Sequence, residues 1–183
     1  VFWTRNIAPF VPQLRQLSRD RMPFVVQYTV TGYPRALESH AAAEERAVAM
    51  IQELSGLFGS DSVVWRYDPV VLTSLTNPGW HRARFAKLAD ELEGVVNEVI
   101  VSFTTMYRKT TSNLKKAGRQ HDFTFEDPED HAKRELLLEL ALDLLVVALL
   151  QARHCLRCCC GITHEMTSVL PPPSLATRTL WPL

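Results

Sequence analysis

Val63-Val-Trp-Arg-Tyr-Asp-Pro69 starts as a β-branched, apolar run and ends in charged and aromatic residues. Four other stretches have the same grammar: Val1-Phe-Trp-Thr-Arg-Asn6, Phe24-Val-Val-Gln-Tyr-Thr-Val-Thr-Gly-Tyr33, Val99-Ile-Val-Ser-Phe-Thr-Thr-Met-Tyr107 and Cys155-Leu-Arg-Cys-Cys-Cys160. Helical sequence separates them. Phe10, Leu14 and Leu17 keep helical spacing over Pro9–Leu17. Ala47, Met50, Ile51, Leu54 and Leu57 form the stripe of a helix over Glu38–Phe58, closed by Gly59. Asn77-Pro78 is a cap followed by proline at the first helical position, and Phe85, Leu88, Ala89, Leu92 and Val95 follow as its stripe. Arg108 to Arg119 reads as a basic, flexible stretch. A long helix then runs from about Asp127 to Ala152.

Strict β-α alternation argues for parallel strands joined by right-handed crossovers. The expected fold is therefore α/β, an incomplete (β/α) barrel with about five parallel strands alternating with helices. An open doubly wound sheet is the alternative. No glycine-rich phosphate loop follows any strand, which weighs against dinucleotide binding. One domain is expected over 1–169 and a proline-rich tail over 170–183. Five strands cannot close an eight-stranded barrel, so sheet edges are expected to lie open or to be covered by a partner. The chain opens at Val1 inside a strand-like run, which reads as a fragment lacking its amino-terminal part.

Composition sets the outer limits. The chain has 183 residues, 46% of them apolar and 22% charged, enough for a core. Net charge is zero, so no global field steers it toward nucleic acid or an acidic membrane. The apolar segment Leu136–Leu150 carries Glu139 and Asp143, which with Glu135 recur every four residues on one helical face, so it reads as a core helix rather than a membrane span. All four cysteines fall in one hexapeptide, and the chain reads as one without a secretory signal. A reducing, cytoplasmic location is the expectation.

In parallel α/β folds ligands sit at the carboxyl ends of the strands. The candidate substrate-binding residues are therefore those of the tips: Arg5 and Asn6; Thr29 and Tyr33; Arg66 and Asp68; Ser102 and Tyr107. Arg66 and Asp68 stand two apart, which puts them on one face of a strand, either to hold a polar substrate or to lock a loop as an ion pair. His81 offers an acid or base, but reads more simply as a solvent-exposed histidine. In a strand, Cys158 and Cys160 face away from Cys159, so the cysteine run reads as buried small hydrophobes rather than metal ligands. No metal site is expected. Arg108, Lys109, Lys115, Lys116, Arg119 and Arg134 make a modest basic patch without aromatic stacking partners, so nucleic acid is not an expected ligand.

Four of the tips together resemble a known family. Val1-Phe-Trp-Thr-Arg-Asn6, Gln27-Tyr-Thr-Val-Thr-Gly-Tyr33, Trp65-Arg-Tyr-Asp-Pro69, and Ser102-Phe with Tyr107-Arg-Lys-Thr110 are similar to the bacterial domain-of-unknown-function family DUF1848, in the same order and spacing. The resemblance covers most of residues 1 to about 115. It implies a relative with a segment before the Phe-Trp-Thr motif and a carboxy-terminal cysteine cluster like that of radical S-adenosylmethionine enzymes. This chain would then be truncated at both ends. The resemblance further implies that an iron–sulfur cluster and S-adenosylmethionine belong to a full-length relative, with no cofactor in this chain and an unknown small-molecule substrate. The alternatives are an inactive remnant and a small-molecule-binding barrel without catalysis.

Overall fold

The computed structural model describes residues 1–159 and 176–177, with side chains described over 1–144. Four strands make the sheet: β1 (Phe2–Thr4), β2 (Val26–Thr29), β3 (Val63–Val70) and β4 (Glu98–Phe103). They lie in sequential order and every pair is parallel. A helix separates each strand from the next: α1 (Val11–Arg19), α2 (Glu44–Phe58) and α3 (Pro78–Leu92). α4 (Arg108–His121) and α5 (Asp130–Cys159) follow β4.

Register fixes which side chains share a face. Phe2, Val26 and Val63 are partners across the sheet, as are Trp3, Gln27 and Val64. Thr4, Tyr28, Trp65 and Val99 form the next row, and Thr29, Arg66 and Ile100 the one after. Side chains alternate along each strand. The face bearing Val26, Tyr28, Val30, Val63, Trp65, Tyr67, Val99 and Val101 packs against Leu14, Ile51, Leu54, Phe85, Leu88, Leu92, Leu136 and Leu140. The core is thus the layer between one face of the sheet and its helices. The opposite face carries Trp3, Gln27, Thr29, Arg66, Asp68 and Ser102 over a buried floor of Val64 and Ile100. A parallel sheet sandwiched between helices would be apolar on both faces. This one is polar on its second face.

Two expectations change. Among the described residues the sheet has four full strands, not five. The cysteine run is no strand: the backbone from Cys155 to Cys159 continues α5. The leucine-rich pattern before it has already nucleated a helix, and extending one adds a hydrogen bond per residue fixed. Strand alternation therefore does not set Cys159 against its neighbours; Cys160 and the proline-rich stretch at 170–175 lie outside the described residues. A two-residue segment, Ala176–Thr177, lies parallel beside Glu98 and Val99.

Arg108–Arg119 is helical rather than flexible. Its three Lys and two Arg, with Leu114 and Ala117, favour helix, and it ends where Asp122 takes a left-handed φ of 53°. Gly118 lets the chain fold back there, since a β-carbon would stand 2.5 Å from the Phe123 carbonyl oxygen. α2 starts at Glu44 instead of Glu38 because residues 34–38 form a turn, with Leu37 and Glu38 N–H both donating to the Pro34 carbonyl. α3 starts as expected: Asn77 Oδ1 accepts from Trp80 N–H at 2.9 Å, with Pro78 behind it. Among the described residues no helix is long and apolar enough to cross a membrane.

Candidate functional site

The polar face is organised around Arg66. Its Nη1 donates to Gln27 Oε1 at 2.7 Å, and its Nε donates to Asp68 Oδ2 at 2.9 Å. Nη2 donates to the same carboxylate oxygen. The other oxygen of Asp68 accepts from the Ser102 hydroxyl. Beneath the Trp3 indole, the guanidinium carbon lies 4.1 Å from the ring centroid. Trp3 Nε1–H donates to Thr29 Oγ1 at 3.3 Å. Contacts therefore cross all four strands: Trp3 meets Thr29 and Arg66, Arg66 meets Gln27 and Asp68, and Asp68 meets Ser102. Arg66 and Asp68 are nearly buried, with 13% and 9% of their side-chain surface exposed.

A cleft of about 270 Å³ opens beside this network at the carboxyl end of β2. Arg5, Thr29, Thr31, Tyr33, Glu38 and Arg84 line it. Arg5 pairs with Glu38, whose other oxygen accepts from Thr31 at 3.2 Å. On the far wall Glu44 takes both oxygens' worth of Arg84 at 2.9 Å, and Lys87 Nζ at 2.6 Å. Gly32 passes close by. Its φ is +65°, and a β-carbon would fall 1.9 Å from Glu44 Oε2. Gly32→Ala is therefore expected to lower stability by about 2 kcal/mol, from the left-handed backbone and the displaced carboxylate together. Urea unfolding measures this; a midpoint within experimental error of wild type would contradict the packing described.

Behind the cleft lies a buried polar knot. Tyr33 OH donates to the Pro69 carbonyl and accepts from Val71 N–H, both at 2.8 Å. Its ring stacks on Trp80 at 5.5 Å with planes 3° apart. His81 is fully buried. Its Nε2 lies 3.1 Å from the Val71 carbonyl, which can only accept, so Nε2 carries the proton. Nδ1 then accepts from Tyr67 OH at 2.8 Å. Burial lowers the His81 pKa to about 4. Burial raises the phenols of Tyr33 and Tyr67 well above the ordinary tyrosine value, which keeps both as donors.

Arg66, Asp68, Ser102 and Thr29 thus come together in one network, and Arg5 stands beside it on the cleft. Tyr33 reaches the cleft wall, but its hydroxyl is committed to the loop after β3. Asn6 is exposed, and its N–H donates to Thr4 Oγ1 at 2.9 Å. Tyr107 precedes α4 and is 69% exposed, outside the network. His81 corrects the expectation of a solvent-exposed side chain: the loop after β3 folds over it and supplies the Val71 carbonyl. Sequence reading passed over Trp3, Glu38, Glu44 and the Tyr67–His81 pair. Trp3 follows from alternation, since it shares a face with Arg5. The other contacts span 7 to 40 residues and left no local signal.

The four tip motifs now stand on one parallel sheet, at the ends of its successive strands. The family model for the domain of unknown function DUF1848 matches residues 1–167. The chain belongs to the DUF1848 family. Neither the curated proteins nor the solved structures give a match. The matched DUF1848 region holds every residue of the Arg66 network and of the cleft.

Proposed function

We propose that this DUF1848 chain supplies part of the wall of a (β/α) barrel, and that the polar face of its sheet binds a small polar ligand. One observation carries the reading: the Trp3–Arg66–Asp68–Ser102 network occupies the sheet face opposite the helices. Sequential parallel strands with helices on a single face are what a barrel wall has, and such folds place their chemistry at the carboxyl ends of the strands, where Thr29, Asp68 and Ser102 of this network stand. The network is preorganised, because Asp68, Gln27 and Trp3 hold the guanidinium from three sides. The adjoining cleft offers charged and hydroxyl groups in close alternation, suited to a hydroxylated or zwitterionic molecule.

The finer reading, a radical S-adenosylmethionine enzyme, rests on the family resemblance. Among the described residues no group of three His, Cys, Asp or Glu is placed to hold a metal ion. Those residues supply no ligand set for a cluster.

The test is ligand-observed NMR with a panel of small hydroxy acids, amino acids and sugar phosphates. The wild-type chain is compared with an Arg66→Met/Asp68→Leu double variant, which keeps the volume and removes both charges. Binding of a panel member by wild type, weakened at least tenfold in the double variant, is expected. Equal binding by both proteins, or no binding by wild type, would sink the proposal.

A further inference from the structure

Trp3 is the anomaly of the polar face. It is 66% exposed, the most exposed aromatic side chain on the sheet. Exposed aromatic side chains ordinarily swing freely. This one is fixed at two points: its Nε1–H is tied to Thr29, and one ring face rests on the Arg66 guanidinium. Arg66 is in turn fixed by Gln27 and Asp68. The outer face of the indole is thus a rigid, open plane standing beside the cleft that Thr29 and Arg5 line.

We infer that Trp3 is a stacking platform for a flat, neutral, electron-rich heteroaromatic ring. The inference rests on the ligand-binding reading of the polar face and names the chemical class of part of that ligand. The cation behind the indole draws its π electrons toward Arg66 and makes the outer face a poorer host for a second cation. Aliphatic C–H groups, which also seek an electron-rich face, lose attraction for the same reason. An aromatic ring bearing its own electron density gains by contrast, in the offset-stacked arrangement. The groups at the platform's edge are donors. Thr29 Oγ1 accepts from Trp3, so its own hydrogen is left to give; Gln27 uses its oxygen on Arg66, so its amide nitrogen faces the same task. A ring with nitrogen or carbonyl acceptors on its rim fits this edge. The Glu38 carboxylate, farther along the cleft, suits a hydroxylated substituent on that ring.

The experiment titrates the full ¹⁵N-labelled chain with adenosine and guanosine, with ribose and tetramethylammonium as controls. Two signals are followed: the Trp3 indole N–H, assigned by its loss in Trp3→Phe, and the Gln27 side-chain amide. A saturable shift of the Trp3 signal with adenosine or guanosine, and none with the controls, is expected. Trp3→Leu, a change at an exposed site that leaves the core intact, is expected to weaken that binding at least tenfold. A shift of Gln27 with Trp3 unmoved would overturn the stacking inference and leave the polar-face reading standing. A Trp3 shift with tetramethylammonium would overturn the electrostatic argument for it. No shift of either signal with any probe would overturn the inference. The separate ligand panel then decides the polar-face reading.

Discussion

Acidification from pH 7.5 to 4.5 is expected to remove about 2–3 kcal/mol of folding stability through His81 alone. The folded protein keeps this imidazole neutral, with a pKa lowered to about 4 by burial. In the unfolded chain it titrates near 6.5. Below 6.5 the unfolded state therefore binds a proton that the folded state refuses. Stability that is fully present above pH 6.5 is lost as pH falls toward 4, the opposite of a histidine that gains an acidic partner. The structure explains the refusal. The ring is fully buried, so an imidazolium there would give up its hydration without gaining an anionic partner. Carboxylates also titrate near the low end of this window, so the measurement is a difference. Urea unfolding of wild type and His81→Gln across pH 4.5–7.5 is expected to show a steep slope in wild type and a shallower one in the variant. Equal slopes would refute the assignment. The variant is also expected to be less stable at pH 7.5, because its amide cannot reproduce both ring hydrogen bonds.

The second large effect concerns Asp68. Asp68→Ala is expected to cost about 3–5 kcal/mol, because it leaves the nearly buried Arg66 charge without its carboxylate. Ser102 loses its acceptor at the same time. Asp68→Asn keeps the shape and one carbonyl oxygen, so its cost is expected to be smaller. The Arg66→Met/Asp68→Leu pair is expected to recover most of the loss, since replacing both buried charges by apolar groups of similar volume is often neutral or better. Equilibrium denaturation of wild type, the two single variants and the double variant measures these differences. A near-zero cost for Asp68→Ala would show that the ion pair does not hold the sheet. Recovery by the double change would also separate the network's structural role from ligand binding, because a folded double variant can then be tested for loss of the site.

Much of this was legible locally. The apolar-to-polar grammar of four stretches located β1 to β4, and alternation set Arg66 beside Asp68 on one face. Asn77-Pro78 announced the start of α3. Where local preference was read too literally, it failed. The cysteine run reads locally as a strand, yet its backbone extends the preceding helix. The basic stretch after Tyr107 reads locally as flexible, although charge and helix propensity are independent.

By itself, the sequence determined the α/β class, the order of the four strands and the tips on which polar residues gather. These rest on periodicity and on capping residues, which act over a few positions. Tertiary structure alone decided which tips meet. The register of parallel strands sets Trp3 over Arg66 and Asp68 against Ser102. Folding of the loop after β3 turned His81 from an exposed helix residue into a buried acceptor for Tyr67. Those outcomes depend on contacts between residues 14 to 63 positions apart, where the energy comes from packing and desolvation and no single stretch of chain records it.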